Sequence, residues 1–263
     1  MNLDLDNKRA FIAGSSRGLG FATARELALE GCEVTLNGRG QHALEEAAAK
    51  LSEETEATVH TAPGDVSLPE KPAALIEQAV ELMGGLDLLV TNSGGPPSAA
   101  FENIPDDTWQ QAVDLTFLSH VRLIRAALPH LKKSPAASVL TVTSYSVKQP
   151  IPNLVLSNSV RAATVGLTKT LALELGAADI RFNSILPGWT RTERVAELMN
   201  DRAESQGTTV EEEFARQAAD TPLGRMAEPE EFGKTAAFLL SPAASYLTGV
   251  MLTVDGGAYK GTM

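Results

Sequence analysis

Residues 8–31 read KRAFIAGSSRGLGFATARELALEG: a short apolar run, a glycine cluster and an amphipathic helical pattern, in that order. An apolar run of strand length that enters a helix through glycines is the opening of a βα unit. Gly14, Gly18 and Gly20 permit a tight turn and close approach of backbone to a ligand, with Ser16, Arg17 and Leu19 between them. The first turn of the following helix presents unpaired N–H groups and a positive dipole end, which suits a pyrophosphate. The spacing is G-x-x-x-G-x-G rather than G-x-G-x-x-G. A glycine cluster alone also suits an ordinary turn, and its place between strand and helix is what makes it informative.

Outward from this unit the same alternation continues. CEVTLN (32–37), ATVHTA (57–62), LDLLVTN (86–92), ASVLTVTS (137–144), IRFNSILPG (180–188) and GVMLTVDGG (249–257) read as strands, with helical patterns such as QHALEEAAAKLSEE (41–54) between them. Short buried strands separated by helices of ten residues or more imply right-handed crossovers and a parallel sheet. No Pro/Gly/Ser linker divides the 263 residues and no repeat is visible. The expectation is one α/β domain over 1–263, of the Rossmann type, a doubly wound parallel sheet with helices on both faces. Residues 192–221 form a polar, helical excursion interrupted near Gly207, in the place of a substrate lid over the carboxyl edge of the sheet.

Composition sets outer bounds. Apolar residues make up 43% and charged residues 21%, as in an ordinary folded chain, and the net charge of −11 excludes a nucleic-acid backbone as partner. The N-terminus lacks a basic segment followed by an apolar stretch, and no apolar run reaches membrane-spanning length. A soluble, cytoplasmic protein acting on a small molecule, with no membrane partner, is expected. The single cysteine, Cys32, is expected to be a buried inert thiol, and the four histidines show no metal-ligand spacing, so no metal is expected. At the tip of the second strand, where a carboxylate would hold the ribose hydroxyls of NAD, the chain has Asn37, Gly38 and then Arg39. Arg39 and Arg17, without a local carboxylate, suit a 2′-phosphate, so NADP is expected over NAD.

The motifs taken in order resemble those of the short-chain dehydrogenase/reductase family, over nearly the whole chain. GSSRGLG is similar to its glycine motif, GDVS (Asp65, Val66) to its adenine-contacting segment, and TNSGG (Asn92, Ser93, Gly94) to its N-N-A-G element. LPGWTRT, with Pro187, Gly188, Thr190 and Thr192, resembles the P-G-x-x-x-T motif that meets the nicotinamide end. TPLGRMAEPEEFG and YLTGVMLTVDGG resemble its C-terminal signatures, and the nearest style is that of the 3-oxoacyl-carrier-protein reductases. The resemblance implies a seven-stranded sheet, a nicotinamide cofactor, carbonyl/alcohol chemistry on CH–OH groups, and a homo-oligomer, tetramer or dimer. It also implies close packing across a subunit interface at the small residues Ala162, Ala163 and Gly166.

The catalytic positions depart from the family. The resemblance implies a serine, a tyrosine, a lysine one helical turn later and an upstream asparagine. Ser144 takes the serine position, but Ser157 stands for the tyrosine, Arg161 for the lysine and Thr116 for the asparagine. An aliphatic hydroxyl is a far weaker acid than a phenol and is too short to reach the phenol's place. Arg161 stays charged and is a fork for ribose hydroxyls rather than a proton donor. Tyr145 and Lys148 are the substitute acids within reach in sequence. Trp189 reads as a packing residue that can also line a substrate pocket. The leading reading is an NADP(H)-dependent oxidoreductase of a 3-oxoacyl, ketone or sugar-type substrate with an altered proton relay. The alternative is a catalytically silent NADP(H)-binding sensor or assembly protein. Lyase chemistry of the halohydrin dehalogenase kind, where an arginine also occurs, fits less well because the glycine loop is retained here.

Overall fold

The computed structural model describes residues 2–262. Each apolar run of the sequence forms a strand: β1 (Arg9–Ile12), β2 (Glu33–Gly38), β3 (Val59–Pro63), β4 (Leu88–Thr91), β5 (Ser138–Val142), β6 (Arg181–Pro187) and β7 (Met251–Val254). All pairings are parallel, in the order β3-β2-β1-β4-β5-β6-β7, with Phe11 opposite Thr35 on one side and Leu89 on the other. Successive residues serve opposite faces. Ala10, Ile12, Leu88, Val90, Leu140 and Val142 pack into one apolar layer, and Phe11, Leu89 and Val139 into the other. Burial on both faces is the reason these strands read as nearly continuous apolar runs.

The first layer is closed by α1 (Gly18–Leu29), α2 (Gln41–Thr55) and, from the end of the chain, α9 (Pro229–Leu240). The second is closed by α3 (Lys71–Met83), α5 (Ser119–Leu131) and α6 (Val155–Leu175). Before α5, the helix α4 (Asp106–Val113) runs into a π-helical turn at Asp114–Leu118 without a break. Cys32 is buried, its thiol donates to the Leu5 carbonyl at 3.3 Å, and burial pushes it up to about 12, an inert thiol as expected.

Residues 192–221 contain two helices, α7 (Glu193–Gln206) and α8 (Val210–Ala219). Thr192 caps α7 by accepting from the Val195 amide, Gly207 ends it in the left-handed region at φ 68, and Thr209 with Glu212 closes a capping box on α8. The interruption seen in the sequence is therefore a helix–helix corner.

β1 leads outward to β2 and β3, after which the chain returns to β4 on its other side. The crevice beyond the carboxyl ends of β1 and β4 is where a ligand fits in a doubly wound sheet.

Where α9 crosses α1, a Cβ on Gly233 would lie 2.5 Å from the Ala22 carbonyl oxygen. Gly233→Ala should cost about 1–3 kcal/mol by forcing the helices apart. A thermal melt followed by circular dichroism should show a lower midpoint, and an unchanged midpoint would contradict this close approach.

Candidate active site

The crevice is a cavity of about 530 Å³ that runs from the β1–α1 turn to the tips of β5 and β6. At its first end Gly14 and Gly18 adopt φ 58 and 60, and a Cβ on Gly20 would collide with the Gly14 carbonyl oxygen. Gly20 thus packs the turn rather than facing the cavity, which Gly14, Ser16, Arg17, Gly18 and Leu19 line. No side chain caps α1 and no acidic residue sits in its first turn. Its terminal N–H groups therefore remain available for an anion.

The tip of β2 carries Gly38 and the exposed Arg39 to the cavity wall. The Arg17 side chain is 65% exposed and has Glu197, 3.9 Å away, as ion-pair partner. Asn37 also lines the cavity, but its amide donates to the carbonyls of Ala62 and Gly64 at 2.9 and 3.1 Å, and its oxygen accepts from the Gly14 amide. It ties the turn to the end of β3 instead of offering a free polar group. Asp65 accepts from the amide and hydroxyl of Ser67, and Val66 is buried beside it on the wall. Asn92 donates to the Gly14 carbonyl at 3.0 Å, locking the tip of β4 to the glycine turn. Ser93 and Gly94 continue the wall.

At the other end, Ser144 follows β5 and its hydroxyl oxygen accepts from the Ser146 amide at 3.1 Å. Its own proton is left for a ligand. Ser157, in the first turn of α6, lines the cavity and makes no hydrogen bond to the described residues. One turn later Arg161 is buried, and its guanidinium donates to the Val142 carbonyl at 3.2 Å and the Gly94 carbonyl at 3.3 Å. No carboxylate among the described residues pairs with it. Burial, and then the charge of Arg194, pull Arg161 down to about 10.

Thr116 does not reach the cavity. It is fully buried, its hydroxyl donates to the Ala112 carbonyl at 2.7 Å, and its own carbonyl accepts from Thr164 at 2.8 Å. The π turn adds a residue to the helical register, so Leu115 faces the cavity in its place. Thr116, at the position the resemblance gives to the relay asparagine, thus has both its hydroxyl and its carbonyl bonded within the protein. Beneath Arg161, His120 is buried with Nδ1 2.7 Å from the Thr91 hydroxyl, and burial followed by the charge of Arg161 pulls it down to about 3, so it is neutral.

Tyr145 borders the cavity, yet its hydroxyl accepts from Trp189 Nε1 at 3.0 Å among Leu186, Met199 and Met226. Burial raises its pKa, against the lowering effect of the Trp189 bond and the charge of Arg202, which stacks 4.6 Å from the Trp189 ring. Lys148 lies over the Tyr259 ring at 5.4 Å and outside the cavity. Pro187, Gly188, Thr190 and Thr192 form the β6 side, and the buried Thr190 hydroxyl has no partner. The helix α7 and its start supply Glu193, Arg194, Val195, Glu197 and Leu198. Nothing in their spacing singled these residues out within 192–221. Among the described residues no helix is long and apolar enough to cross a membrane, and no cluster of ligating side chains can hold a metal.

The family model described as enoyl-(acyl carrier protein) reductase matches residues 13–259. Dehydrogenase/reductase SDR family member 4 of Bos taurus is 33% identical over 255 residues, 97% of this chain and 88% of its own length. The 3-oxoacyl-[acyl-carrier-protein] reductase FabG of Chlamydia trachomatis is 30% identical over 253 residues, 96% of this chain and 98% of its own. The chain belongs to the short-chain dehydrogenase/reductase family. The crystal structure of L-sorbose reductase from Gluconobacter frateurii, complexed with NADPH and L-sorbose, matches with a TM-score of 0.94 at 31% identity. That match covers 99% of this chain and 100% of the other. This short-chain dehydrogenase/reductase is an oxidoreductase acting on CH–OH groups, of the alcohol/ketone class.

Trp189→Phe keeps the ring but removes the N–H that stabilises the Tyr145 phenolate, so the phenol should titrate at higher pH. Ultraviolet difference titration of Trp189→Phe against Trp189→Phe/Tyr145→Phe isolates this group. A midpoint that fails to move upward would contradict the bond.

Proposed function

We propose that this short-chain dehydrogenase/reductase is an NADP(H)-dependent reductase of a carbonyl group, with a proton relay unlike that of its relatives. The substrate classes first in view are 3-oxoacyl, ketone and sugar-type compounds. The observation that carries the reading is the cavity itself: at one end an uncapped helix start, the exposed Arg39 at the β2 tip and Arg17 in the glycine turn, whose contact with Glu197 is long and exposed, and at the other end Ser144 with an unused proton. When bound, the cofactor supplies the hydride that reduces the carbonyl carbon and leaves oxidised.

The chain's own residues divide the rest of the task. The α1 N-terminus and the turn at Gly14, Ser16, Arg17, Gly18 and Leu19 hold the pyrophosphate, with Gly20 packing that turn. Arg39 and Arg17 hold the 2′-phosphate, and Asp65 and Val66 border the adenine. Asn92, Ser93, Gly94, Pro187, Gly188, Thr190 and Thr192 enclose the nicotinamide end, where the unpartnered Thr190 hydroxyl suits an amide-bearing ring. Arg161 forks a ribose hydroxyl beside it. Ser144 donates to the substrate oxygen as negative charge develops there. Neither Ser157 nor Thr116 delivers a proton. Tyr145, or water entering the cavity, supplies it to that oxygen.

Residues 192–221 act as the lid of this single domain, closing through Arg194, Val195 and Leu198. We read the assembly as a homotetramer or dimer, because Ala162, Ala163, Gly166 and Leu173 leave an exposed small and apolar face on α6. A soluble, cytoplasmic setting accords with the absence of a membrane-length helix among the described residues.

Ser144→Ala should lower kcat by about 10²–10³-fold, the usual loss for one oxyanion donor. Steady-state oxidation of NADPH with a reducible carbonyl reads this, and unchanged turnover would remove Ser144 from the mechanism. Arg39→Gln should weaken NADPH about tenfold or more and leave NADH nearly unaffected. Equal losses in a fluorescence titration of the two would overturn the preference for NADP.

A further inference from the structure

Arg161 presents an electrostatic problem that the fold does not solve. Its side chain is buried, yet no carboxylate among the described residues pairs with it, and the charge that acts on it is that of another cation, Arg194. Of the five N–H donors of a guanidinium, the carbonyls of Val142 and Gly94 take two bonds. The remaining donors have no acceptor among the described residues. Removing an unpaired ion from water costs several kcal/mol, so a bound partner that completes the pair gains accordingly. A ribose hydroxyl satisfies one or two donors but brings no charge.

The surroundings say where that partner comes from. Ser157 lies one turn before Arg161 on the same helix face, and its short side chain leaves open the volume that a phenol would fill. The cavity therefore extends past Ser157 to the guanidinium. Val142, whose carbonyl anchors Arg161, is two residues before Ser144 along the same chain segment. Ser144, Ser157 and Arg161 line the same cavity, so one ligand can meet Ser144 with its carbonyl and Arg161 with a second oxygen group. Leu115, Ile151, Leu154 and Leu198 line the same region and offer an apolar wall to the rest of such a molecule.

We propose that the substrate is an oxo acid, a carbonyl compound whose carboxylate lies one or two carbons from the carbonyl and pairs with Arg161 through the gap left at Ser157. This inference rests on the carbonyl-reductase reading and selects within it. The carboxylate supplies the missing negative charge and accepts two N–H bonds in the planar geometry that arginine favours. It also fixes the carbonyl against Ser144. The reaction stays the one already described: the carbonyl carbon gains a hydride, its oxygen gains a proton, and the carboxylate is unchanged.

The test compares pyruvate with methyl pyruvate, and acetoacetate with methyl acetoacetate, in NADPH oxidation by the full chain at saturating cofactor. For at least one pair, the acid should exceed its ester in kcat/KM by about tenfold to a hundredfold, as a charge-assisted pair implies. Arg161→Met should bring that ratio near one, chiefly through KM of the acid, and Arg161→Lys should restore part of it. Equal use of acid and ester by the unmodified protein, or a ratio that survives in Arg161→Met, overturns the proposal.

If none of the four is reduced, binding of oxamate to the NADPH complex decides the matter by calorimetry. Binding that is lost in Arg161→Met supports the proposal, and no binding to the unmodified protein refutes it. Failure of NADPH itself to bind would refute the cofactor reading, a result distinct from failure of oxamate alone, and the carboxylate assignment would fall with it.

Discussion

The guanidinium of Arg161 is held against the carbonyls of Val142, at the end of β5, and Gly94, just beyond the end of β4, with no anion among the described residues to balance it. Strand register brings those two carbonyls together: Val90 pairs with Leu140, so the ends of the two strands lie level. The sheet thus fixes the position of the charge, and α6 delivers it by placing Arg161 on its buried face. A lysine ammonium at this place has three donors on a flexible stem, whereas the planar arginine fork spans two carbonyls at once. Two consequences follow. The charge is immobile and persists at working pH, even though burial pulls the group down to about 10. It also lies at the base of a cavity whose usual occupant at position 157, a phenol, is replaced by a small hydroxyl.

Around that fixed charge several hydroxyls of the core are satisfied within the protein, whereas the buried Thr190 hydroxyl and His120 Nε2 have no partner among the described residues. Thr164 closes the Thr116 carbonyl, Thr168 bonds both the Thr164 carbonyl and the Thr141 hydroxyl, and Thr143 pairs with Ser184. These contacts seal the face of α6 on the side where an asparagine relay would open. In the proposed reaction the proton for the substrate oxygen arrives from the cavity side, past Ser144. Tyr145 stands at that side, but its phenol is turned to Trp189 and packed under α7, so α7 and the phenol are one packed unit. Arg202 of α7 stacks on the same indole. The helix α7 thus sets both the electrostatic surroundings of Tyr145 and one wall of the cavity.

Much of this was legible in the sequence because strands buried on two faces and helices of ten residues or more leave distinct periods. The seven strands, the glycine turn and the break at Gly207 all follow from local chemistry. The P-G-W-T loop was placed by its resemblance to the family. Asn37 illustrates a limit. Its place at the strand tip was readable, but its amide answers to Ala62 and Gly64, which only the pairing of β2 with β3 brings near. Thr116 shows another. A count of residues cannot reveal a π turn, and one extra residue rotates the helix enough to exchange Thr116 for Leu115 at the cavity wall. The absence of a carboxylate around Arg161 was likewise invisible, since it depends on every element that packs there. Arg194 lies distant in sequence and approaches only because α7 lies over Gly95 and Pro96.

What meets the free side of Arg161 decides the substrate class. A crystal structure of the protein with NADPH and oxamate reads this directly. The carboxylate is predicted to lie at about 3 Å from two guanidinium nitrogens, with the amide oxygen at a similar distance from Ser144 Oγ. Density showing Arg161 bonded to cofactor hydroxyls alone, with oxamate absent or seated elsewhere in the cavity, would contradict it.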